Sequence, residues 1–259
     1  YRIPHHLVDI VDANQEFSVA EYLQAATAAV HEIRARDRVP VFVGGTPMYL
    51  RGVLRGFDVG PPADWEFRES CQQDLQDHGI QALRQRLRLV DPLSAMRIES
   101  NDTRRMIRAL EVYAKTGVPI SHRQVHFDQR YPAESVGVFA LSWDRSILHE
   151  RINRRTSEMF DRGLVDEVRR IRETTGFSRT ASAAVGYREV LQHIDGELSL
   201  AETMKAVAAH TRQLARKQET WFRNLHELRS VPMTPDSAPQ AIADWIVAKL
   251  PSSLRGDSR

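Results

Sequence analysis

Apolar residues follow two patterns along this 259-residue chain. Val39-Pro40-Val41-Phe42-Val43 and Val136-Gly137-Val138-Phe139-Ala140-Leu141 are short apolar runs without alternation. A strand covered on both faces reads this way, so both runs predict buried parallel strands. Elsewhere the apolar positions recur at helical spacing. Ser18 and Glu21 form a capping-box pattern, with Phe17 and Tyr22 at the staple positions, and predict a helix to about Arg36. Gly44-Gly45-Thr46 then turns the chain into a helix ending near Leu54. Gly60-Pro61-Pro62 breaks this texture, and residues 64–117 read as helix after helix. Within them Asn101 is the expected cap of a helix over 102–115, which Gly117 ends. Residues 121–134 are polar and irregular. Further helices are predicted at about 144–162, 164–174, 186–194 and 199–223, a short strand near Leu228–Val231, and a last helix at about 238–249.

This order predicts an α/β parallel-sheet core, residues 1–58 and 135–250, interrupted by an all-helical insertion domain at 59–134. Residues 251–259 read as a disordered tail. Two clear strands are few for a doubly wound sheet, so the expectation is that part of the sheet's middle lies outside this sequence.

Composition narrows the function classes. A net charge of +2 gives no global field for polyanions, so any basic footprint is local. Arginine outnumbers lysine 32 to 4, a bias that GC-rich coding produces as readily as phosphate recognition. Cys71 is the only cysteine, which excludes an intrachain disulfide, and no Cys/His set has zinc spacing. No apolar run approaches the roughly 18 residues of a membrane span, and no signal-peptide pattern opens the chain. The expected setting is the cytoplasm, with no membrane partner and a monomeric state. Residues 1–10 read as the middle of a domain.

Several arginine-bearing segments carry candidate chemistry. Arg212-Gln213-Leu214-Ala215-Arg216-Lys217-Gln218-Glu219-Thr220-Trp221-Phe222-Arg223 places cations, amides and two aromatics on one helix. It is either a solvated basic face or a grip on phosphates, with Trp221 packing on a base or filling the core. Val43-Gly44-Gly45-Thr46 lies at the carboxyl end of a predicted strand, where α/β folds bind ligands; the other reading is a tight turn with Thr46 as a cap. Arg104 and Arg108 share a helix face with Arg105 beside them, and Glu111 competes as an internal partner. Arg151 and Arg155, one turn apart after the second strand, suit a diphosphate, unless Glu150, Glu158 or Asp161 pairs with them. Gly186-Tyr187-Arg188 suits a stacked base with a phosphate.

Taken in order, these segments resemble the tRNA dimethylallyltransferase family over essentially residues 3–231. The match comprises Pro-His-His-Leu-x-Asp from Pro4, Val-Gly-Gly-Thr-x-x-Tyr, and Asn-Asp-x-x-Arg-x-x-Arg-Ala-Leu-Glu-Val. Arg-Ile-x-x-Arg with Met159 and Gly163, Val-Gly-Tyr-Arg, and Thr-Arg-Gln-Leu-Ala-x-x-Gln-x-Thr-Trp-Phe-Arg follow, the last being the most specific. The resemblance implies a P-loop-kinase-like core with a helical insertion, the flipped base entering a channel between them. It implies transfer of a dimethylallyl group from dimethylallyl diphosphate to N6 of adenine 37 in the tRNA anticodon stem-loop, with Mg2+. By the same resemblance Thr46 touches the target adenosine, and Arg151 and Arg155 lie near the diphosphate. Arg68, Arg104, Arg105, Met106, Ile107, Arg108, Ala183, Ala184, Val185, Gly186, Tyr187, Arg188, Arg216, Lys217, Gln218, Glu219, Thr220, Trp221, Phe222 and Arg223 match tRNA-contact positions.

The sequence departs from that pattern at one end. The family's Walker-type phosphate loop, and the Asp-Ser-x-x-x-Tyr segment whose aspartate is the general base, are not in these residues. The expectation is that about 50–60 further residues belong before Tyr1, and that the 259 residues by themselves do not transfer a prenyl group. Asp9 and Asp12 lie nearby in sequence without motif support as a base. The zinc finger of eukaryotic members is also lacking, which points to the bacterial type. Two alternatives stand beside this reading: an adenylate isopentenyltransferase acting on free nucleotide, and a tRNA-binding fragment without catalysis. The basic 212–223 helix and the long insertion argue against the first, because a mononucleotide needs neither.

Overall fold

A computed structural model describes residues 3–56, 58–123 and 131–254. Its elements run α1 (Val19–Ala35), α2 (Pro47–Arg55), α3 (Trp65–Val90), α4 (Pro92–Arg97), α5 (Thr103–Thr116) and α6 (Ile120–Arg123). Then follow β1 (Val138–Trp143), α7 (Arg145–Asp161), α8 (Leu164–Glu173), α9 (Arg179–Ser182) and α10 (Tyr187–Ile194). The long α11 (Leu200–Arg223), β2 (Leu228–Met233) and α12 (Pro239–Lys249) complete the order. The chain divides into two compact units, Tyr1–Leu50 with Arg130–Arg259, and Arg51–Gln129.

The Arg51–Gln129 unit is helical. Helix α3 is two helices joined at Gly79, whose φ of 75° and ψ of 172° break the helical path. Its core gathers Cys71, Leu83 and Leu87 from α3, Ala95 from α4, and Met106, Ile107, Ala109 and Leu110 from α5. Asp91 fixes the α3–α4 corner, its carboxylate accepting from the Ser94 N–H, the Ser94 hydroxyl and the Ser121 N–H. Asp102 caps α5 by accepting from the Arg105 N–H, where Asn101 was the expected cap. Either side chain is a good cap; the helix starts one residue later than periodicity indicates, and the neighbouring carboxylate takes the role. Gly117 ends α5 in the left-handed region at φ 68°, as expected.

The other unit holds the sheet. β1 and β2 pair in parallel, from Val138 opposite Leu228 to Trp143 opposite Met233. Helix α12 lies against β1 through Trp245, whose ring meets Phe139 edge-on at 6.1 Å. Arg229 stacks on the same Phe139 ring at 4.4 Å and donates to the carbonyls of Lys249 and Val136. A second cluster, Leu164, Val168 and Val190 with Phe160, Phe177 and Leu191 around it, joins α7, α8 and α10.

The expected strand at Val39–Val43 is a correction: these residues form no strand, and Val41 and Val43 are 78% and 94% exposed. A β-branched run becomes a strand only where a neighbour accepts its ladder. Among the described residues β1 and β2 pair only with each other, so Val39–Val43 stays unpaired. The strand expected at 136–141 forms two residues later, at 138–143; α7, α8, α10, α11 and α12 match their predicted spans within one or two residues, while the short α9 was not predicted. Residues 124–130 of the polar stretch and 255–259 of the tail lie outside the described residues.

Candidate active site and nucleic-acid surface

The Gly44–Thr46 turn is built as its residues dictate. Pro47 occupies the first helical position of α2, where its missing N–H costs nothing, and Thr46 sits exposed just before it. One turn into α2, Tyr49 stacks on Tyr22 of α1, ring centroids 3.9 Å apart, and burial raises the pKa of both phenols. The turn's remaining anchor comes from far along the chain: Gln218 Nε2 of α11 donates to the Gly45 carbonyl at 2.6 Å. A Cβ at position 45 would run into that same amide, so a larger residue there would push the Gln218 side chain aside and disturb this bond. The contact joins Thr46's turn to the most specific motif of the sequence.

The next residue on α11, Glu219, accepts from Arg145 Nη2 at 3.2 Å. One helix therefore ties the turn on one side and the start of α7 on the other. Helix α7 leaves the carboxyl end of β1 after a single residue, Asp144, whose carboxylate accepts from the Ser146 N–H and hydroxyl. That entry places Arg151 over the Trp143 ring, 4.4 Å from its centroid. Arg155 follows one turn on, exposed and without a partner among the described residues. Neither arginine pairs with Glu150, Glu158 or Asp161; Glu158 instead faces Arg154 at 3.8 Å. Along α11, Arg216, Lys217 and Arg223 are exposed cations without ion pairs among the described residues. Thr220 bonds back to the Arg216 carbonyl, and Trp221 packs edge-on against Phe222 at 5.7 Å, both rings half-buried.

The cations of the helical unit are arranged differently. Glu111 of α5 is 0% exposed, and Arg68 donates to both its oxygens at 2.8 Å. Arg108 adds a bond at 2.5 Å, and the Asp64 N–H another at 2.7 Å. Burial alone would raise the Glu111 pKa, but the bonds from Arg68, Asp64 and Arg108 outweigh it and hold it below the ordinary value. Arg108 also donates to the Pro61 carbonyl at 2.9 Å, and Arg68 stacks on Trp65 at 4.8 Å. Arg68 and Arg108 thus have internal partners. Met106 and Ile107 are core residues, 1% and 6% exposed, so their side chains do not meet a ligand. Arg104 and Arg105 remain on the surface, the latter near Asp102 at 3.3 Å.

At Ala183–Arg188, Ala183, Ala184, Val185 and Arg188 are exposed and Gly186 is buried at φ 103°. The Tyr187 ring was expected to stack on a base. It packs instead edge-on to Phe177 at 5.4 Å, with its hydroxyl donating to Glu167 at 2.5 Å. Burial, then the Glu167 carboxylate, pushes its pKa up to about 12. Sequence reasoning missed the residue that organises this loop. Glu189, 0% exposed, accepts from the Gly186 N–H at 2.7 Å and from Arg188 Nη2 at 2.6 Å, and meets His210 Nδ1 at 2.8 Å. Its signal was the Gly-x-x-Glu spacing, in which the glutamate reaches back to the cap's N–H as in one half of a capping box.

Among the described residues no three His, Cys, Asp or Glu side chains converge as a metal site. No described helix is long and apolar enough to cross a membrane.

A parallel strand pair with arginines on the helix that leaves its carboxyl end, and an exposed basic helix tied to a polar turn, define a class: α/β proteins suited to phosphorylated and polyanionic ligands. The family follows from comparison. The IPP transferase family model matches residues 1–225, and the chain belongs to that family. It is 52% identical over 240 residues to a tRNA dimethylallyltransferase of Rhodopirellula baltica, covering 92% of this chain and 72% of the relative. The tRNA dimethylallyltransferase of Carboxydothermus hydrogenoformans is 39% identical, covering 85% of this chain and 71% of the relative. The crystal structure of the tRNA isopentenylpyrophosphate transferase of Bacillus halodurans superimposes with a TM-score of 0.64 at 33% identity, covering 95% and 78% of the two chains. A eukaryotic dimethylallyltransferase acting on tRNA shares the fold, with a TM-score of 0.71 at 23% identity, covering 96% and 67%.

Proposed function

We propose that this chain is a tRNA dimethylallyltransferase, moving a dimethylallyl group from dimethylallyl diphosphate to N6 of adenine 37. The observation that carries this reading is the Gln218–Gly45 hydrogen bond, which sets the Thr46 hydroxyl's turn against the basic motif of α11. In the reaction the N6 lone pair attacks the allylic carbon, the carbon–oxygen bond to diphosphate breaks with its electrons going to the leaving oxygen, and a proton leaves the nitrogen. Arg151 and Arg155 face the departing diphosphate and offset its charge; the stack on Trp143 holds the Arg151 guanidinium in place. Thr46 contacts the flipped adenosine. Arg104, Arg105, Arg216, Lys217 and Arg223 meet RNA phosphates, and the exposed Ala183–Val185 edge lies along the RNA. Arg68, Arg108, Glu189 and Tyr187 act one step back, holding the elements that present those contacts. Flipping the base costs a few kcal/mol and is cheapest in an unpaired loop.

Thr46→Ala in the complete enzyme tests this reading. Single-turnover prenyl transfer to an anticodon stem-loop should slow by about 10²-fold, a typical loss for one active-site polar contact, with little change in diphosphate affinity. A wild-type rate would leave Thr46 as a cap for α2 and remove it from the site.

A further inference from the structure

Helices α7 and α11 lie side by side, and Arg145–Glu219 at one end and Asn153–Arg212 further along show that they run antiparallel. Between them is an open groove of about 310 Å³ whose walls include Asn153, Ser157, Lys205 and Arg212, with Ala208 on its floor. At about 100° per residue, Asn153 and Ser157 project from the side of α7 opposite Arg151 and Arg155, so the groove is separate from the diphosphate site. The groove is rich in unused donors. Asn153 Oδ1 accepts from Arg212 Nη1 at 2.6 Å, which orients the amide and leaves its Nδ2 protons without a partner among the described residues. Ser157 is exposed and makes no hydrogen bond among them. Lys205 is exposed and has no ion pair among the described residues; the acid that feels its charge, Glu202, is already engaged by the N–H and hydroxyl of Ser199.

Helical phase aligns this groove with the surface already described. Lys205, Arg212, Arg216 and Arg223 fall within about 20° of one line along α11. From Lys205 to Arg216 that line runs about 16 Å, at roughly 1.5 Å per residue. Cations spread along such a line do not converge on a compact anion. They match a chain of phosphates in succession, each neutralised singly, and the line is continuous with the Arg216–Arg223 surface.

We infer that the α7–α11 groove, through Lys205, Ser157 and Asn153, binds the phosphodiester backbone of the anticodon stem, extending the RNA footprint beyond the loop that carries the reacting base. This rests on the proposed tRNA reading and adds a second, distant contact to it. An acidic peptide is the competing occupant, and it favours the site less because it offers no fixed succession of charges along 16 Å.

Lys205→Gln in the complete enzyme is the test, with Lys205→Arg as its rescue. For an anticodon stem-loop, Lys205→Gln should shrink the slope of log K against log salt by about 0.7–0.9, the contribution of one phosphate. The KM for tRNA should rise several-fold, kcat at saturating tRNA and the KM for dimethylallyl diphosphate should hold, and Lys205→Arg should restore the slope. An RNA with its stem cut to the closing pairs should bind wild type and Lys205→Gln alike. An unchanged slope with the full stem overturns the proposal, as does a difference that persists on the shortened stem. Poly-glutamate binding that falls in Lys205→Gln while RNA binding holds would overturn it in favour of an acidic partner. If wild type binds the stem-loop but transfers no prenyl group, the proposed reaction fails while the slope still decides the groove.

Discussion

Helices α5 and α11 look alike in sequence, each an arginine-rich amphipathic stretch ending a motif, yet the structure uses their cations in opposite ways. On α5, Arg108 turns inward and, with Arg68 of α3, surrounds the buried Glu111. On α11, Arg216, Lys217 and Arg223 point outward with no carboxylate partner among the described residues. The difference lies in one acidic side chain placed inside. A buried carboxylate is tolerable only when charged donors satisfy it, so Glu111 captures whichever arginines reach it. On α11 the acid at the corresponding stage, Glu219, is itself taken by Arg145. The first arrangement holds a fold together; the second leaves charge available to a ligand.

The largest expected effect comes from removing the carboxylate that makes the difference. Glu111→Ala should destabilise the helical unit by about 2–3 kcal/mol. That is below the 3–5 kcal/mol of a fully buried pair because Arg68 and Arg108 are 25% and 30% exposed and partly screened. Chemical denaturation measures it, and a change under 0.5 kcal/mol would show that Arg68 and Arg108 are held by other contacts. The pH dependence sharpens the same point. The folded Glu111 pKa lies below its ordinary value of 4.5, so its contribution is complete above 4.5 and is lost as pH falls through the lower folded value. Wild type should therefore lose stability below about pH 4.5 more steeply than Glu111→Ala.

A smaller effect is expected on the α11 side. Gln218→Ala removes the donor to Gly45 and should slow transfer by about 10-fold, about 1.4 kcal/mol, through a looser Thr46 turn. Tm should change little; a fall in Tm matching the loss of rate would mean that the amide serves stability alone. Smallest, and most diagnostic of the comparison, are the single arginines. Arg216→Ala should reduce the salt slope of stem-loop binding by about one unit, and Arg108→Ala should leave it unchanged while lowering stability. Equal slope changes in the two variants would erase the distinction between α5 and α11.

Much of this was readable in the sequence where the determinants are local. Ser18 with Glu21 and Gly117 after α5 announce helix ends because caps act within four residues. The strand expected at Val39–Val43 failed because pairing is non-local, and its apolar side chains specify burial without supplying a neighbour. The candidate site divides along the same line. The motif residues could be named from their order alone, but which arginines are free could not. Arg68 reaches Glu111 across 43 residues and Gln218 reaches Gly45 across 173, and no spacing rule covers such distances. Glu189 was legible by its spacing from Gly186, yet its hold on His210 depends on α10 packing beside α11.

Helix α11 also acts as a ruler. It is capped at Ser199, carries the Lys205 cation beside α7, and holds the Gly45 turn through Gln218, all on one uninterrupted rod. Lys205 and Gln218 are thirteen positions apart, which an α-helix converts to about 20 Å with almost no give. One residue inserted between them would lengthen that interval by only about 1.5 Å but rotate one end against the other by about 100°. The line of cations would then point away while the turn stayed in place, separating the proposed recognition surface from the proposed site without altering a single residue of either.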